Sequence, residues 1–295
     1  MALLRSYLFA PGNQPKLLDR VFECGADAVV LDLEDAVPAS EKAAARRLVA
    51  SALAGAFSAN DAQATEASVF VRINPTGTGH WRADIDAVTG PGITGIRIPK
   101  TETLESMCRV HDAVLDRERL LGLRTGSVRL VATIETARGI AQVESIAAAP
   151  RLMGFTFGAA DFCADISANL SDRMATLHAC SRLVIVSRAA RLAPPIAPVF
   201  TDLQDLEGLR LDTERLKHLG FFGRSAIHPR QIGIINSVFE PSAGEVAAAR
   251  EVVAAYEAAE EEGSGVTRIG ALFVDLAVVR RARTVLELSE RGRGR

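Results

Sequence analysis

The chain has 295 residues, with 34 basic and 36 acidic side chains and a formal net charge of −2, so it offers no electrostatic footprint for nucleic acid or an anionic membrane. A length of that order suits one large domain with a tail, able to bury most of its apolar surface. Apolar runs are broken by charge or proline, as Arg188 and Arg191 break residues 184–198, and none approaches the ~20 residues that a bilayer span requires.

At the start of the chain Arg5 interrupts the one short apolar stretch, and no small-residue cleavage pattern follows, so no export leader is expected. Beyond it, short β-branched or aromatic runs alternate with longer amphipathic ones. Strands are predicted at 7–10, 28–31, 69–73, 95–98, 129–134, 154–157, 197–200 and 221–225. Helices are predicted between and after them, at 15–24, 40–54, 80–88, 102–116, 137–148, 172–192, 205–219 and 230–238, several opening on Ser, Thr or Asp. Strand then helix, repeated eight times, predicts an α/β fold, a (β/α)8 TIM barrel of parallel strands over residues 1–240. The stretch at 197–200 is the least strand-like, because Pro194, Pro195 and Pro198 crowd it and proline donates nothing to a ladder.

After Pro241 the pattern becomes an Ala- and Glu-rich helix, 242–262, a flexible Gly263-Ser264-Gly265 and a last helix, 276–289. Residues 241–295 are thus a helical C-terminal extension, too small for an independent core and expected to pack on the barrel or on a neighbouring subunit, which makes a homo-oligomer the expected state. Cys24, Cys108, Cys163 and Cys180 match neither a zinc nor a disulfide spacing, and reduced thiols in a cytoplasm are expected.

Two acids stand out. Glu135 and Asp161 each lie where a buried strand runs out into a loop, which is where a parallel barrel keeps its chemistry. A pair of carboxylates from neighbouring strand ends suits a hard cation such as Mg2+, with coordination positions left for the oxygens of a small oxyacid. The plain alternative is that both acids cap the following helices. Arg72, ending the third strand after Val69-Phe70-Val71, is costly to bury without an anion and is read as a ligand for a substrate oxygen, a salt bridge in the mouth being the other reading. Lys100 has a similar position. Arg5 and Lys16 are candidates for a cofactor phosphate, or for solvated surface roles. His228, before Pro229, reads as a structural turn, and His80 lies in a glycine-rich loop that lacks a dinucleotide fingerprint.

The motifs Arg5-Ser6-Tyr7-Leu8-Phe9-Ala10-Pro11-Gly12, Leu31-Asp32-Leu33-Glu34-Asp35, Val71-Arg72-Ile73-Asn74, Ile98-Pro99-Lys100, Ile134-Glu135-Thr136-Ala137-Arg138-Gly139, Gly158-Ala159-Ala160-Asp161-Phe162 and Ala226-Ile227-His228-Pro229 run in order through nearly the whole chain. As a set they resemble the citrate lyase β-subunit family of the HpcH/HpaI aldolase superfamily. The resemblance implies a Mg2+-dependent barrel, a trimer or hexamer, that cleaves or forms carbon–carbon bonds in 3-hydroxyacyl-coenzyme A thioesters of the citryl, malyl or citramalyl type. It implies that Glu135 and Asp161 hold the metal, with Glu34 and Asp35 near its waters. Arg72, Glu135, Lys100 and Arg5 would bind substrate. It also implies that Asp275, delivered by a neighbouring subunit, is the acid/base at the acyl carbon, so that Arg72, Glu135 and Asp275 carry the catalysis; a helix cap is the other reading of Asp275. The sequence departs from the family at Pro195-Ile196-Ala197-Pro198 and at Gly223-Arg224, where relatives have an aspartate and a Gly-Lys. A retro-Claisen lyase is the expected activity; a thioesterase on the same metal site, or a subunit active only in a complex, are the alternatives.

Overall fold

Runs of β-branched and aromatic residues, apolar on both faces, form the wall of a parallel barrel. The computed structural model describes residues 3–57, 65–261 and 263–293. Strands β1 (Ser6–Pro11), β2 (Ala28–Asp32), β3 (Ser68–Arg72), β4 (Gly95–Ile98), β5 (Arg129–Ile134), β6 (Leu152–Phe157) and β7 (Arg224–Ala226) lie in the order β6-β5-β4-β3-β2-β1-β7, every neighbouring pair parallel.

The remaining stave, expected at 197–200, is not a regular strand, and it lies a few residues earlier. Proline at 194, 195 and 198 removes those amides, and the amides of Ala193, just before them, and of Ile196 and Ala197, between them, are all used. Ala193 and Ile196 donate to Met153 and Phe155 of β6, at 3.0 and 2.9 Å, and Ala197 donates to Gly223 beside β7, at 2.9 Å. Parallel bridges Thr156–Ile196 and Ala197–Arg224 complete the contact, so this short segment closes the barrel. The final strand begins later than the expected 221–225.

Alternation along the strands separates an inner set from an outer one. Tyr7, Ala28, Val30, Phe70, Val131, Met153 and Ile196 meet in one cluster although their strands are not all neighbours, which places them in the lumen. The outward residues are covered by helices. In α2 (Lys42–Ala56) the buried residues Ala45, Val49 and Leu53 repeat every four positions, the stripe that a helix needs to lie on a wall. Around the barrel run α1 (Pro15–Arg20), α3 (Trp81–Val88), α4 (Leu104–Leu120), the short α5 (Ala137–Ala141) and α6 (Val143–Ile146), α7 (Ala159–Asp165), α8 (Arg173–Ala189), α9 (Leu206–Leu219) and α10 (Ile232–Phe239). Thr136 caps α5 through Gly139 N–H at 3.0 Å, Asp172 caps α8 and Asp205 caps α9, as their residue types require.

The chain divides into two compact units, residues 3–236 and the residues from Ser237 onward. The second contains α11 (Ala243–Glu261), a two-stranded antiparallel hairpin of β8 (Thr267–Ile269) and β9 (Leu272–Val274), and α12 (Leu276–Arg293). Contrary to expectation it has a small core of its own, built from Ala249, Val252, Tyr256, Val274, Val279 and Ala282. Among the described residues no helix is long and apolar enough to cross a membrane, and the four cysteines are free thiols.

Candidate active site at the C-terminal rim of the barrel

Parallel pairing places Asp32, Arg72 and Arg97 side by side in register, with Arg97 opposite Val131, so the last residues of β2, β3, β4 and β5 reach one rim together. Glu135 follows β5 directly. It is 3% exposed, and its Oε1 accepts a 2.6 Å hydrogen bond from Lys100 N–H. To aim that amide, Lys100 takes a left-handed backbone conformation (φ 48°), unusual for a residue with a Cβ and of the kind that a site must hold in place. Glu135 Oε2 lies over Gly158, where a Cβ would collide with the carboxylate. Gly158 in turn opens α7, whose first turn carries the exposed Asp161.

The second acidic group hangs on β2. Asp32 clamps Arg72 bidentately, Nε to Oδ1 and Nη2 to Oδ2, both at 2.7 Å, and also accepts the amides of Glu34 and Ala36. Arg72 Nη1 then lies 2.7 Å from Glu34 Oε2 and 3.5 Å from Asp35, and its guanidinium rests 5.1 Å from the centre of the Phe9 ring. Lys100 Nζ stands 3.4 Å from Glu34 and 3.8 Å from Asp35. These contacts bring charge close to Glu34 without aligned hydrogen bonds, and both its buried oxygens keep unused acceptor capacity. Lys42 Nζ donates to the carbonyls of Leu33 and Glu34, at 2.8 and 2.7 Å, which ties the loop to α2 instead of pairing with the acids.

Burial, with the negative charges of Glu34 and Asp161 nearby, pushes the Glu135 carboxyl up to about 8 against the Lys100 hydrogen bond and Arg72. Burial also raises Glu34 to about 7; Arg72 and Lys100 oppose it, while Asp35 and Asp32 add to it. Burial works against the Lys100 ammonium, but Glu34 and Asp35 outweigh it and the net shift is upward. Desolvated acids left this close want a cation.

A divalent metal fits that demand. Glu135 Oε2 and the Asp161 carboxylate accept no hydrogen bond among the described residues, and no third His, Cys, Asp or Glu joins them in a closed cage. Two carboxylates with other positions left to water and substrate oxygens are the donor set that Mg2+ takes.

Arg5 is not at this rim. It precedes β1 and is bound by Asp27, which precedes β2, through Nε and Nη2 at 2.9 Å each, so it belongs to the N-terminal end of the barrel, a strand's length away. The expectation that Arg5 contacts substrate is corrected accordingly. Lys16, after β1 in the first turn of α1, is on the mouth side and exposed. His228 Nδ1 accepts Arg230 N–H at 3.1 Å and caps a single 3-10 turn, a structural role. Arg224 also leaves the mouth: it turns outward to Asp212 (2.8 Å) and Thr213 (3.1 Å) and fastens α9 to the wall. Asp275 lies in the second unit, where its Oδ1 accepts the amides of Ala277 and Val278 and caps α12. The residues that the sequence reading left without a role are Asp32, Phe9 and Gly158; Asp32 had the same signal as Glu135, an acid at the end of a buried strand.

The family model described as HpcH/HpaI aldolase/citrate lyase matches residues 5–229, which include every residue of this rim. The chain belongs to that family. Among its relatives, the citrate lyase subunit beta of Leuconostoc mesenteroides subsp. cremoris is 36% identical over 289 residues, 97% of this chain and 93% of that protein. The L-malyl-CoA/beta-methylmalyl-CoA lyase of Cereibacter sphaeroides is 35% identical over 308 residues, covering 97% and 94%. The crystal structure of CitE from Mycobacterium tuberculosis, in complex with magnesium, acetoacetate and coenzyme A, superposes with a TM-score of 0.78 at 28% identity and covers 98% of this chain and 99% of that one. Like these family members, the chain is a lyase.

Proposed function

We propose that this chain is a Mg2+-dependent carbon–carbon lyase that cleaves a 3-hydroxyacyl-coenzyme A of the malyl, citramalyl or citryl type to a 2-oxo acid and acetyl-coenzyme A or a close analogue. The observation that carries this reading is one rim that joins two carboxylates without an ion pair among the described residues, Glu135 and Asp161, to an arginine fixed beside them, Arg72. Relatives named for malyl-CoA cleavage, and a related structure holding magnesium and coenzyme A, support it.

Held by Glu135 and Asp161, Mg2+ would supply Lewis-acid polarisation of the substrate oxygens and a fixed point for their orientation. The chain's own groups do the rest. Lys100 N–H locks one oxygen of Glu135 and leaves the other facing the mouth. Arg72, pre-oriented by Asp32, presents Nη1 to negative charge on the departing 2-oxo acid. In the cleavage direction the hydroxyl gives up its proton to solvent, its carbon becomes the oxo carbon, and the electrons of the broken carbon–carbon bond pass to the thioester enolate. A proton then adds to the α carbon of that enolate, which becomes the acetyl methyl group. We assign this last transfer to Asp275 of a neighbouring subunit in a homotrimer or hexamer, and Lys16 to the coenzyme A side of the mouth.

A screen of candidate thioesters with Mg2+, reading both fragments by mass spectrometry, tests the reaction. Malyl-coenzyme A is expected to give glyoxylate and acetyl-coenzyme A; free coenzyme A with intact malate would make the chain a thioesterase instead. The role across subunits is tested by co-refolding two inactive variants, Asp275→Ala and Glu135→Ala. Mixed oligomers are expected to recover activity at sites that combine one intact residue from each; no recovery would place Asp275 outside the chemistry.

A further inference from the structure

A buried charge stands within the apolar cluster of the barrel lumen. Arg97, on β4, points into the cluster of Tyr7, Ala28, Val30, Phe70, Val131 and Met153 and is 0% exposed. Its Nη1 crosses the lumen to Ser225 Oγ on β7 at 3.2 Å, while Nε and Nη2 have no hydrogen-bond partner among the described residues. In place of a carboxylate it has two rings: the guanidinium lies 4.7 Å from the centre of Tyr7 and 5.3 Å from that of Phe9. By contrast Arg72 is paired with Asp32, Arg151 with Glu118 and Arg224 with Asp212.

A buried cation left without an anion destabilises a fold. Cation–π contacts with Tyr7 and Phe9 return part of that penalty. Burial brings the guanidinium down to about 10, so it stays charged at neutral pH. The position of this charge is informative. Arg97 is in register with Arg72, and both guanidinium groups lie against the same half-buried Phe9 ring, which separates the lumen from the mouth. Above that ring Asp32, Glu34, Asp35, Glu135 and Asp161 crowd a rim whose basic side chains, Arg72 and Lys100, are engaged with Asp32, Glu34 and Asp35. An anionic substrate has to approach those acids. A positive charge below the floor, in a medium that screens poorly, offsets their repulsion.

We propose that Arg97 is a positioning residue for the lyase: with no carboxylate to neutralise it, it holds the Phe9 floor beneath Arg72 and supplies the positive potential that admits the anionic 2-oxo acid portion of the substrate. It does not touch substrate. This inference rests on the lyase reading for its kinetic readout, and a binding measurement separates the two.

The variants are Arg97→Met, Arg97→Gln, Arg97→Lys and Ser225→Ala. Calorimetry with oxaloacetate and Mg2+ is expected to show binding weakened about tenfold in the two neutral variants, within about threefold of wild type in Arg97→Lys, and unchanged in Ser225→Ala. For the substrate found in the thioester screen, KM rises by a similar factor while kcat moves less. Tm should not fall in Arg97→Met or Arg97→Gln, because removing an uncompensated buried charge relieves the fold; a packing role would instead lower Tm and activity together. Wild-type oxaloacetate affinity in a neutral variant that folds overturns the proposal. So does an Arg97→Lys variant as impaired as Arg97→Gln. If wild type cleaves no thioester, the lyase reading fails, and the oxaloacetate comparison still decides the role of Arg97.

Discussion

Glutamine in place of Glu135 is expected to lower kcat/KM by about a thousandfold or more while the barrel stays folded, because it removes a proposed metal ligand and leaves its shape. The amide oxygen can still accept Lys100 N–H, so the strained Pro99–Lys100 turn keeps its anchor. Stability gives a second, independent signature. The folded protein holds a proton on Glu135 up to about pH 8, whereas the unfolded chain releases it near 4.5. Between those values the native state binds the extra proton, so the contribution of Glu135 to metal-free stability falls as pH rises through the window. Glutamine carries no charge to bury. Without metal at pH 8, Glu135→Gln should therefore melt above wild type. With saturating Mg2+ that gap should narrow, since only wild type gains the linkage term, about 2.7 kcal/mol at a hundred times Kd. Melting curves at pH 6 and 8, with and without Mg2+, check both; a variant whose Tm still climbs with Mg2+ would remove Glu135 from the metal site.

Strands buried on both faces were the most legible part of this fold. The stretches 95–98 and 129–134 coincide with β4 and β5 end to end, their β-branched runs bounded by polar or turn residues on either side. The proline-rich stave misled because its pairing depends on Ala193, Ile196 and Ala197, the amides that the prolines leave, and not on the apolar run that follows. Helix α7 spans under two turns, too short for a 3.6-residue period to show. The β8–β9 hairpin did carry a signal, Gly270-Ala271 between Ile269 and the apolar run Leu272-Phe273-Val274, with Gly270 at φ 58°.

At the rim, strand-end acids were readable one at a time, but their partners were not. The clamp of Asp32 on Arg72 needs β2 and β3 to lie side by side in register, a fact of pairing that residue types do not encode. Arg5 shows the converse. Its motif drew it toward the chemistry, yet a residue that precedes a barrel strand belongs to the N-terminal rim, and Asp27, which precedes β2, meets it there. Position relative to the strand was the better guide than membership of a motif.

Alanine in place of Gly158 should be nearly as damaging as loss of the ligand itself, with a cost in geometry instead of charge. Gly158 N–H donates to Ile134 at 3.1 Å, which draws the start of α7 against the end of β5 and brings Glu135 and Asp161 to one place. That approach leaves no room for a methyl group: a Cβ on Gly158 would overlap Glu135 Oε2 and its Cβ. Glu135 is held from the other side by Lys100 N–H, so the carboxylate cannot retreat without breaking a 2.6 Å hydrogen bond. Either the acid swings out of line or α7 moves away with Asp161, and the two ligands separate. A displacement of about 1 Å in a catalytic group is enough for a loss of roughly a hundredfold in rate. Because Gly158 is half-buried at a helix start and not in the lumen, Gly158→Ala should still fold, with a lower Tm as the cost of the clash. Its apparent Mg2+ affinity, read from the metal dependence of turnover, should weaken along with kcat. Wild-type kcat and Mg2+ affinity in Gly158→Ala would mean that the contact between Glu135 and α7 does not set the distance on which the chemistry depends.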